Sequence, residues 1–577
     1  MAVKFDEYVI REVLMSDNQE NQSKVQSKTI VFSLGVFFSF AMHLFVPNQG
    51  GVGLALPFNA FSSLALIMTI CIGAIFLVRR NLITYNNVTV GLFISCVLIS
   101  APIFYENSVG FNAFYRLVGL WLGFLLFFIL QQFLNEDKYI NKVLVLIVIS
   151  SYIELLISYS QLFLRLKYVD FSSVVPTGIF QQPNVMASYL ATSFAISMYL
   201  MAENKGKYIR FLLYAFPFFS LPILIVLSSR TGWLSLVLVL LTLTPYFISK
   251  QSKKSIFIWA SSFFLGILSG IYIASIDQSL AERVEFKANT ESDVRLNLYK
   301  QSFDMFLDKP IVGYGLGRYN SEYILFTAQK HFEEPTYPVG MENMTHPHNE
   351  LLYLAVEGGM IPIFGVALAI IIILNCLTRK GLVISLSIFG LLIPILVHSQ
   401  LEYPFYHSFP HWVTFIILVF VASRNEGVCK RLYLNNATKL ILSLSAVVAL
   451  SVSLFYIPKS IHTKYLIDKY VGSERRNISD LRNIDASFFW KEEYNIQLYT
   501  SVLGRGLAKG DKELLKQYIT WASSQAKKTP RSTLYKSLII SYQALGDYKK
   551  AEAIRNLSQQ LFPDKNFSNV NYQAYLK

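Results

Sequence analysis

The stretch Asn343–Leu374 reads NMTHPHNELLYLAVEGGMIPIFGVALAIIIIL and joins a polar segment with two histidines to a long apolar run. An apolar run of about 20 residues is long enough to cross the hydrocarbon core of a bilayer as a helix. The 577-residue chain is 53% hydrophobic and 15% charged, and its mean hydropathy is +0.42. A chain so long and so apolar does not suit a single soluble domain. The sequence therefore predicts an all-α polytopic membrane protein.

Apolar segments of roughly spanning length recur along the chain and predict about thirteen transmembrane helices. The predicted ranges are 30–46, 54–78, 87–104, 111–134, 141–164, 184–202, 208–227, 232–249, 255–275, 350–376, 381–398, 408–423 and 440–457. A polar run precedes the first of them, so we expect that helix to remain as an anchor rather than a cleaved signal peptide.

Basic clusters between the apolar segments predict the orientation in the membrane. They alternate along the chain as the positive-inside rule requires if the N-terminal tail, residues 1–29, is cytoplasmic. The clusters are Lys24/Lys28, Arg79/Arg80, Lys138/Lys142, Lys205/Lys207/Arg210, Lys250/Lys253/Lys254, Arg379/Lys380 and Arg424/Lys430/Arg431/Lys439. The net charge of +14 thus reflects membrane topology, and we expect no nucleic-acid partner. The rule predicts a transmembrane domain over 30–457, with extracytoplasmic regions over 276–349 and 458–577.

The predicted extracytoplasmic C-terminal region has helical periodicity. Ser541–Ile554, SYQALGDYKKAEAI, carries the Ala, Gly-Asp-Tyr and Ala spacing of a tetratricopeptide-like (TPR-like) hairpin. The alternative interpretation is an amphipathic helix pair joined by a Gly-Asp turn. The TPR-like interpretation predicts a surface on which a partner docks.

Polar residues near the membrane are costly and often functional, and the predicted outer face collects several of them. They are Gln182, Asn184, Arg230, Arg295, His346, His348, Asn349, Glu402 and Tyr403. Arg230 and Arg295 could form a fork for a pyrophosphate, since guanidinium groups bind phosphate oxygens in a bidentate manner. The alternatives are an arginine that snorkels to lipid headgroups for Arg230 and a solvated helix face for Arg295. Arg116 and Arg165 are weaker candidates.

His348 is the candidate general base. Pro347 suits a first helical position, which would put His348 in the first turn of the following helix. A neutral imidazole at the membrane surface can accept a proton from a hydroxyl near neutral pH. The alternative is a histidine that only caps the helix. Glu350 and Glu357 would share one face of that helix, where Glu357 could orient polar neighbours or make a structural hydrogen bond.

Several other chemistries lack their sequence motifs. The chain has no Walker loop, GxGxxG, HExxH, GxSxG or DxD pattern. The glycines of GYGLGRYN, Gly313–Asn320, indicate a turn. The four cysteines have neither CxxC nor metal-ligand spacing, so we expect no disulfide, no metal and no cofactor. An enzyme of this kind needs a substrate that arrives already activated, through the lipid.

Five ordered segments between about 180 and 410 resemble the O-antigen ligase superfamily, and within it the bacterial O-linked oligosaccharyltransferases that glycosylate pilins. The segments are FQQPNVMASYL, SSRTGW, DVRLNLYKQSFDMFLDKPIVGYGLGRY, HPHNELLYLAVEGG and LEYPF. The resemblance implies transfer of a preassembled glycan from undecaprenyl pyrophosphate to a Ser or Thr hydroxyl of a periplasmic protein such as a pilin. It implies an inverting reaction without metal or nucleotide, at the periplasmic side of the bacterial inner membrane, so that the two extracytoplasmic regions would be periplasmic.

The resemblance also implies roles for individual residues. His348 would be the catalytic base, Arg230 and Arg295 would bind the pyrophosphate, and Gln182 and Tyr403 lie in segments linked to activity. Two alternatives stay within the superfamily: a ligase that attaches glycan to lipid A core, and a Wzy-type polymerase. An alternative of another class is a transporter or flippase of a lipid-linked or anionic solute, which about thirteen helices with cationic residues would also suit.

Overall fold

The computed structural model describes residues 2–46, 56–108, 110–167, 174–203, 206–276, 295–424, 428–473, 478–482, 484–485 and 488–575. Most of the described chain is helical. The helices up to residue 276 are α1 (Ala2–Ser39), α2 (Pro57–Arg80), α3 (Asn87–Ser100), α4 (Gly110–Phe133), α5 (Asp137–Lys167), α6 (Pro183–Glu203), α7 (Lys207–Leu227), α8 (Arg230–Lys250) and α9 (Lys253–Ile276). The predicted all-α polytopic fold is confirmed.

A second group of helices follows residue 294. It comprises α10 (described over 295–308), α11 (Tyr319–Glu333), α12 (Glu350–Gly358), α13 (Met360–Thr378), α14 (Leu382–Leu401), α15 (Pro404–His407), α16 (Phe409–Ser423), α17 (Asn436–Gly472), α18 (Ile478–Arg482), α19 (Lys491–Lys509), α20 (Lys512–Lys528), α21 (Ser532–Ala544), α22 (Tyr548–Leu561) and α23 (Tyr572–Tyr575).

Twelve helices in the described ranges are long and apolar enough to cross a membrane, against about thirteen predicted. Each of the thirteen predicted segments contains a helix, but the segment 408–423 forms α16, which has only 15 residues. At 1.5 Å per residue, α16 spans about 22 Å, less than the hydrocarbon core of roughly 30 Å. The chain is thus a multi-pass membrane protein, whereas its orientation stays a prediction.

The predicted span 350–376 is wrong as a single helix. It is divided at Gly359, whose φ of +68° and ψ of −153° separate α12 from α13. A Cβ at this position would lie 2.1 Å from the carbonyl oxygen of Ile311, and Met360 N donates to Pro310 O at 2.9 Å. The backbone of the 310–311 segment therefore takes the space that a continuous helix would need.

Helix α6 lies at the centre of the membrane bundle and packs against α5, α7, α8 and α14. In the most apolar stretch of α6, which is 18 residues long, 89% of the residues are buried. Small side chains allow this close packing: a Cβ added to Gly232 of α8 would lie 2.8 Å from the Cβ of Ala187. The start of α6 is therefore held firmly against α8, and both helix starts reach the site described below.

A two-stranded antiparallel ribbon, not predicted from sequence, joins two loops at the end of the bundle where α2 ends. Strands β1 (Leu82–Tyr85) and β2 (Lys430–Tyr433) pair with Thr84 opposite Arg431. Gln132 of α4 holds β1 through its side chain, which accepts from Thr84 N at 2.9 Å and donates to Thr84 O at 2.6 Å.

The C-terminal region forms helical hairpins. α19 packs on α20 and α21 on α22, and the predicted Gly-Asp turn is confirmed, with Gly546 at φ +79° and Asp547 capping α22 through Lys550 N at 3.1 Å. A TPR-like fold and its docking role stay predictions. The predicted domain boundary at 457/458 falls inside the single helix α17, which has 37 residues.

Candidate functional site

Glu402 joins three segments of the chain at one carboxylate. Its Oε1 accepts from Arg295 Nη2 at 3.0 Å and from Asn184 Nδ2 at 3.2 Å. Its Oε2 lies 3.0 Å from Nδ1 of His348. Glu402 is buried, at 3% exposure, so these partners compensate the cost of removing its charge from water. Four residues that the sequence predicted for the site are thus in direct contact.

The termini of three helices hold this arrangement. Glu402 follows the last residue of α14, and its N–H donates to His398 O at 2.8 Å. Asn184 lies in the first turn of α6, and its Oδ1 accepts from Ser229 Oγ at 2.8 Å. Ser229 caps α8 by accepting from Gly232 N at 3.1 Å. Arg230, the first residue of α8, therefore stands next to a residue that is hydrogen-bonded to the cluster.

His348 lies before the helix and not in its first turn, so the predicted helix start at Pro347 is wrong. Asn349 is the N-cap of α12: its Oδ1 accepts from Leu352 N at 2.9 Å, a role that asparagine fills better than most side chains. His348 itself has φ +54°, a left-handed conformation that costs a non-glycine residue roughly 1–2 kcal/mol. Such strain is often found at functional positions.

The contact with Glu402 determines which nitrogen of His348 carries the proton. A carboxylate only accepts hydrogen bonds, so Nδ1 of His348 carries hydrogen and donates to Glu402. In the neutral ring the lone pair is then on Nε2. With 24% of its side chain exposed, His348 can meet a substrate hydroxyl at that atom.

His346 is in direct contact with both the backbone and the ring of His348. Its Nδ1 accepts from the backbone N–H of His348 at 3.1 Å, and its ring packs on Tyr403 with 3.5 Å between centroids. Burial, and then the neighbouring His348 and His407, lower the pKa of His346 well below its ordinary value. A neutral His346 is what this geometry requires, because a protonated Nδ1 could not accept.

The charge state of Glu402 follows from its neighbours. Burial acts to raise the pKa of Glu402, but the hydrogen bond from His348 and the positive charge of Arg295 help to outweigh it, and the pKa is lowered. Glu402 therefore stays ionised and orients His348 rather than competing with it for protons.

Two members of the cluster were not singled out in the sequence, although both lie in the quoted segments. Tyr299 directs its one hydroxyl hydrogen at two carbonyl oxygens, those of His348 at 3.2 Å and Gln400 at 3.3 Å, as a shared hydrogen bond. Ser229 connects α8 to Asn184. Ser229 could have been found as a serine directly before a helix, the usual N-cap signal, whereas nothing local marks Tyr299, because its partners are distant in sequence.

Other candidates lie elsewhere. Arg116 pairs with Glu357, and its guanidinium carbon lies 4.1 Å from the ring centre of Tyr353, so it does not join the cluster. Arg165, at the end of α5, is buried and donates to Val174 O at 3.4 Å. Gln182 comes directly before α6, two residues from Asn184; a role for its side chain stays a prediction.

Glu357 has the structural role that was one of its two interpretations. Its Oε1 accepts from the backbone N–H groups of Gly317 and Tyr319, both at 3.1 Å. The glycine-containing turn 313–317 thus wraps around the end of α12, and Gly313, Gly315 and Gly317 all have positive φ. Among the described residues, no group of three or more His, Cys, Asp and Glu side chains could hold a metal ion.

Comparison with known protein families gave three matches. Residues 215–367 match a family described as O-antigen ligase, residues 176–201 one described as protein glycosylation ligase, and residues 386–577 one described as virulence factor membrane-bound polymerase, C-terminal. No curated protein matched the chain. The first range contains Arg295 and His348, the second Asn184, and the third Glu402, so the three matched ranges meet at the carboxylate of Glu402.

Proposed function

Because the chain belongs to the O-antigen ligase superfamily, with a segment matching the protein glycosylation ligases, we propose that it transfers a preassembled glycan from undecaprenyl pyrophosphate to a Ser or Thr hydroxyl of a periplasmic, pilin-like protein. The observation that carries this proposal is the Glu402–His348 pair beside Arg295. It supplies a base for a hydroxyl next to a cation for an anionic leaving group. The site faces the periplasm of the inner membrane in this proposal.

His348 acts on the acceptor. As the hydroxyl oxygen attacks the anomeric carbon of the glycan, its proton passes to Nε2 of His348, and the imidazolium that forms is stabilised by Glu402. A bond forms between the acceptor oxygen and the anomeric carbon, while the bond from that carbon to the pyrophosphate oxygen breaks. Attack from the side opposite the leaving group inverts the configuration.

Arg295 and Arg230 act on the donor. The leaving pyrophosphate carries the undecaprenyl chain and gains negative charge as the bond breaks. A guanidinium presents five N–H donors in a planar fork, so Arg295 can contact a phosphate oxygen as well as the carboxylate of Glu402. Arg230, which is exposed at the start of α8, is the second pyrophosphate ligand in this proposal. No cofactor enters the reaction.

The test uses purified protein, an undecaprenyl-linked glycan and a pilin-like acceptor. His348→Ala is expected to abolish glycan transfer while the protein still inserts and purifies as the wild type does. His462→Ala on α17 is a matched control, because His462 is exposed on a distant helix and its loss should leave transfer intact. Undiminished transfer by His348→Ala removes the base from the proposal.

The match of residues 386–577 to the membrane-bound polymerase description favours a second candidate, a glycan polymerase; a ligase to lipid A core is the third. Mass spectrometry of the pilin and the lipopolysaccharide ladder, each with and without the gene, separate them. Loss of glycan mass from the pilin alone supports the proposal. A change in chain length on the ladder supports the polymerase, and loss of the whole ladder supports the lipid A core ligase. A transporter would form no product in detergent.

A further inference from the structure

A cavity of about 1250 Å³ opens at the end of the bundle opposite the candidate site. Helix α2 connects the two: Asn59 in its first turn donates to His407 O at 2.8 Å, near the site, and Arg80 at its last residue lines the cavity. Its 24 residues span about 36 Å. The cavity and the proposed glycan transfer site are therefore separated by the length of α2.

Four guanidinium groups line this cavity. They belong to Arg79 and Arg80 at the end of α2, to Arg424 after α16 and to Arg431 on β2, and no Asp or Glu is among the described lining residues. Like charges gathered around one space repel each other, so an anion in that space would lower the free energy of the arrangement.

The protein compensates part of this charge. Arg424 pairs with Asp137, a residue that lies outside the cavity lining, and Arg80 donates to Gln132 O at 3.4 Å. The carbonyl ends of α2 and α16 also favour nearby cations. The first of these contacts pairs one of the four guanidinium groups with a carboxylate, and the second joins another to a backbone carbonyl. Arg79 and Arg431 take part in neither contact.

The cavity is held open by ordered contacts. Gln132, at 2% exposure, fixes β1 through Thr84, and the strand register places Arg431 opposite Thr84. Gln131, another lining residue, accepts from Thr89 Oγ1 at 2.7 Å through its side-chain oxygen, so its NH₂ group is the part that can donate to a ligand. The arginine of β2 is thus positioned by the fold and not by a loose loop.

The lining also has an apolar part. Phe127 and Phe420 contact each other edge to face, with 5.9 Å between ring centres, and both line the cavity together with Phe76 and Val25. A ligand with a charged head and an apolar body fits a cavity that combines arginines with aromatic rings. A small inorganic anion would use the arginines only.

We propose that this cavity binds an anionic phosphodiester, namely the headgroup and adjoining glycerol of an acidic phospholipid in the leaflet predicted to be cytoplasmic. The guanidinium groups of Arg79 and Arg431 contact the phosphate, and the phenylalanine rings contact the start of the acyl chains. The site is a lipid-binding site distinct from the one that takes the glycan donor.

Native mass spectrometry of the full-length protein in neutral detergent tests this proposal, with dioctanoyl phosphatidylglycerol as probe and dioctanoyl phosphatidylcholine as the zwitterionic comparison. The double variant Arg79→Gln/Arg431→Gln is expected to bind phosphatidylglycerol about 30-fold more weakly, since each basic residue near anionic lipid contributes roughly fivefold. Arg79→Lys/Arg431→Lys keeps the charge and should keep most of the binding.

The matched control is Lys253→Gln/Lys254→Gln, which removes the same charge from the predicted cytoplasmic face outside the cavity lining. It should bind as the wild type does. Displacement of the lipid by glycerol 3-phosphate would show that a soluble phosphate is sufficient and would overturn the assignment to a lipid, whereas no displacement supports it. Equal loss in both double variants, no loss in the arginine variant, or equal binding of phosphatidylcholine would overturn the proposal, and an unchanged elution profile excludes misfolding.

Discussion

At the scale of single residues, the carboxylate of Glu402 governs both partners on which the proposed reaction depends. It fixes the tautomer of His348 and shares its other oxygen with Arg295. A base and a cation that are held by one group keep a constant separation, which is the condition for acting together on the two sides of one reacting carbon.

Glu402→Gln tests this orienting role. The amide has nearly the same size but no charge, so it cannot stabilise an imidazolium on His348, and its NH₂ group can face Nδ1 in place of an acceptor. Glycan transfer is expected to fall by a factor on the order of 10² to 10⁴, the usual contribution of general acid–base catalysis.

The measurement is the initial rate of transfer with purified protein. Glu322→Gln is the control: its carboxylate also pairs with an arginine, Arg318 at 3.5 Å, but on α11, and its rate should match the wild type. A rate for Glu402→Gln within twofold of the wild type would show that His348 does not need the carboxylate.

His346 gives the cluster a defined dependence on pH. Because its pKa is lowered in the folded protein, the unfolded chain binds a proton there first as the pH falls below the ordinary value of 6.5. The contribution of His346 to stability is therefore complete above that value and is lost as the pH decreases below it.

His346→Asn separates this effect from other titrating groups. The amide oxygen can still accept from His348 N, but the side chain does not titrate. Thermal unfolding between pH 7 and pH 5 should show a smaller loss of melting temperature in the variant than in the wild type. Parallel curves for the two proteins would mean that His346 is not a source of the acid sensitivity.

The residue types at the site were predictable because each is a polar group beside an apolar segment. Their contacts were not: Glu402 is separated by 54, 107 and 218 positions from His348, Arg295 and Asn184. The error at Pro347 has a local cause, because a proline at a first helical position competes with an asparagine at an N-cap, and here the asparagine prevails.

At the scale of helices, the break at Gly359 positions α12 above the membrane-spanning α13. The short helix carries Asn349 at one end and Glu357 near the other, so its orientation determines where His348 emerges. Sequence could not predict the break, since glycine also occurs within transmembrane helices and the deciding contact comes from residues 310–311.

Gly359→Ala should destabilise the protein strongly. The backbone angles at Gly359 belong to a region that is almost restricted to glycine, at a cost of about 1–3 kcal/mol for other residues, and the new Cβ would also meet Ile311 O. Gly381→Ala is the matched control: Gly381 has φ +79° but nothing within 4 Å of an added Cβ.

The melting temperature in detergent measures the difference. Gly381→Ala is destabilised only by its backbone conformation, whereas Gly359→Ala also has the steric clash with Ile311 O. Gly359→Ala should therefore melt at a clearly lower temperature. Equal melting temperatures would show that the backbone at 310–311 can move away from the new Cβ with no loss of free energy of unfolding.

At the scale of the whole molecule, the C-terminal hairpins form one hydrophobic cluster with the segment that carries the site. Phe562 and Tyr535 belong to the same buried cluster as Tyr323 of α11, and Ser532 N donates to the side chain of Glu342 at 2.9 Å. The predicted periodicity identified these helices but could not show that they pack on residues two hundred positions earlier.

Phe562→Ala tests this packing. Phe562 is 1% exposed, and removal of a buried phenylalanine ring costs about 3–5 kcal/mol. Limited proteolysis should cleave the C-terminal region of this variant faster than that of the wild type. Phe332→Ala, at a side chain that is 79% exposed, should be cleaved at the wild-type rate; equal protection of Phe562→Ala would contradict the packing.

The position of Glu402 along the chain also sets the order in which the protein becomes complete during synthesis. Asn184, Arg295 and His348 leave the ribosome first, and each lacks its shared partner until the end of α14 has been made. A nascent chain that stops before residue 402 can insert most of its helices, yet it lacks the carboxylate that joins these three side chains. For the proposed transfer reaction, the site therefore becomes complete only late in translation.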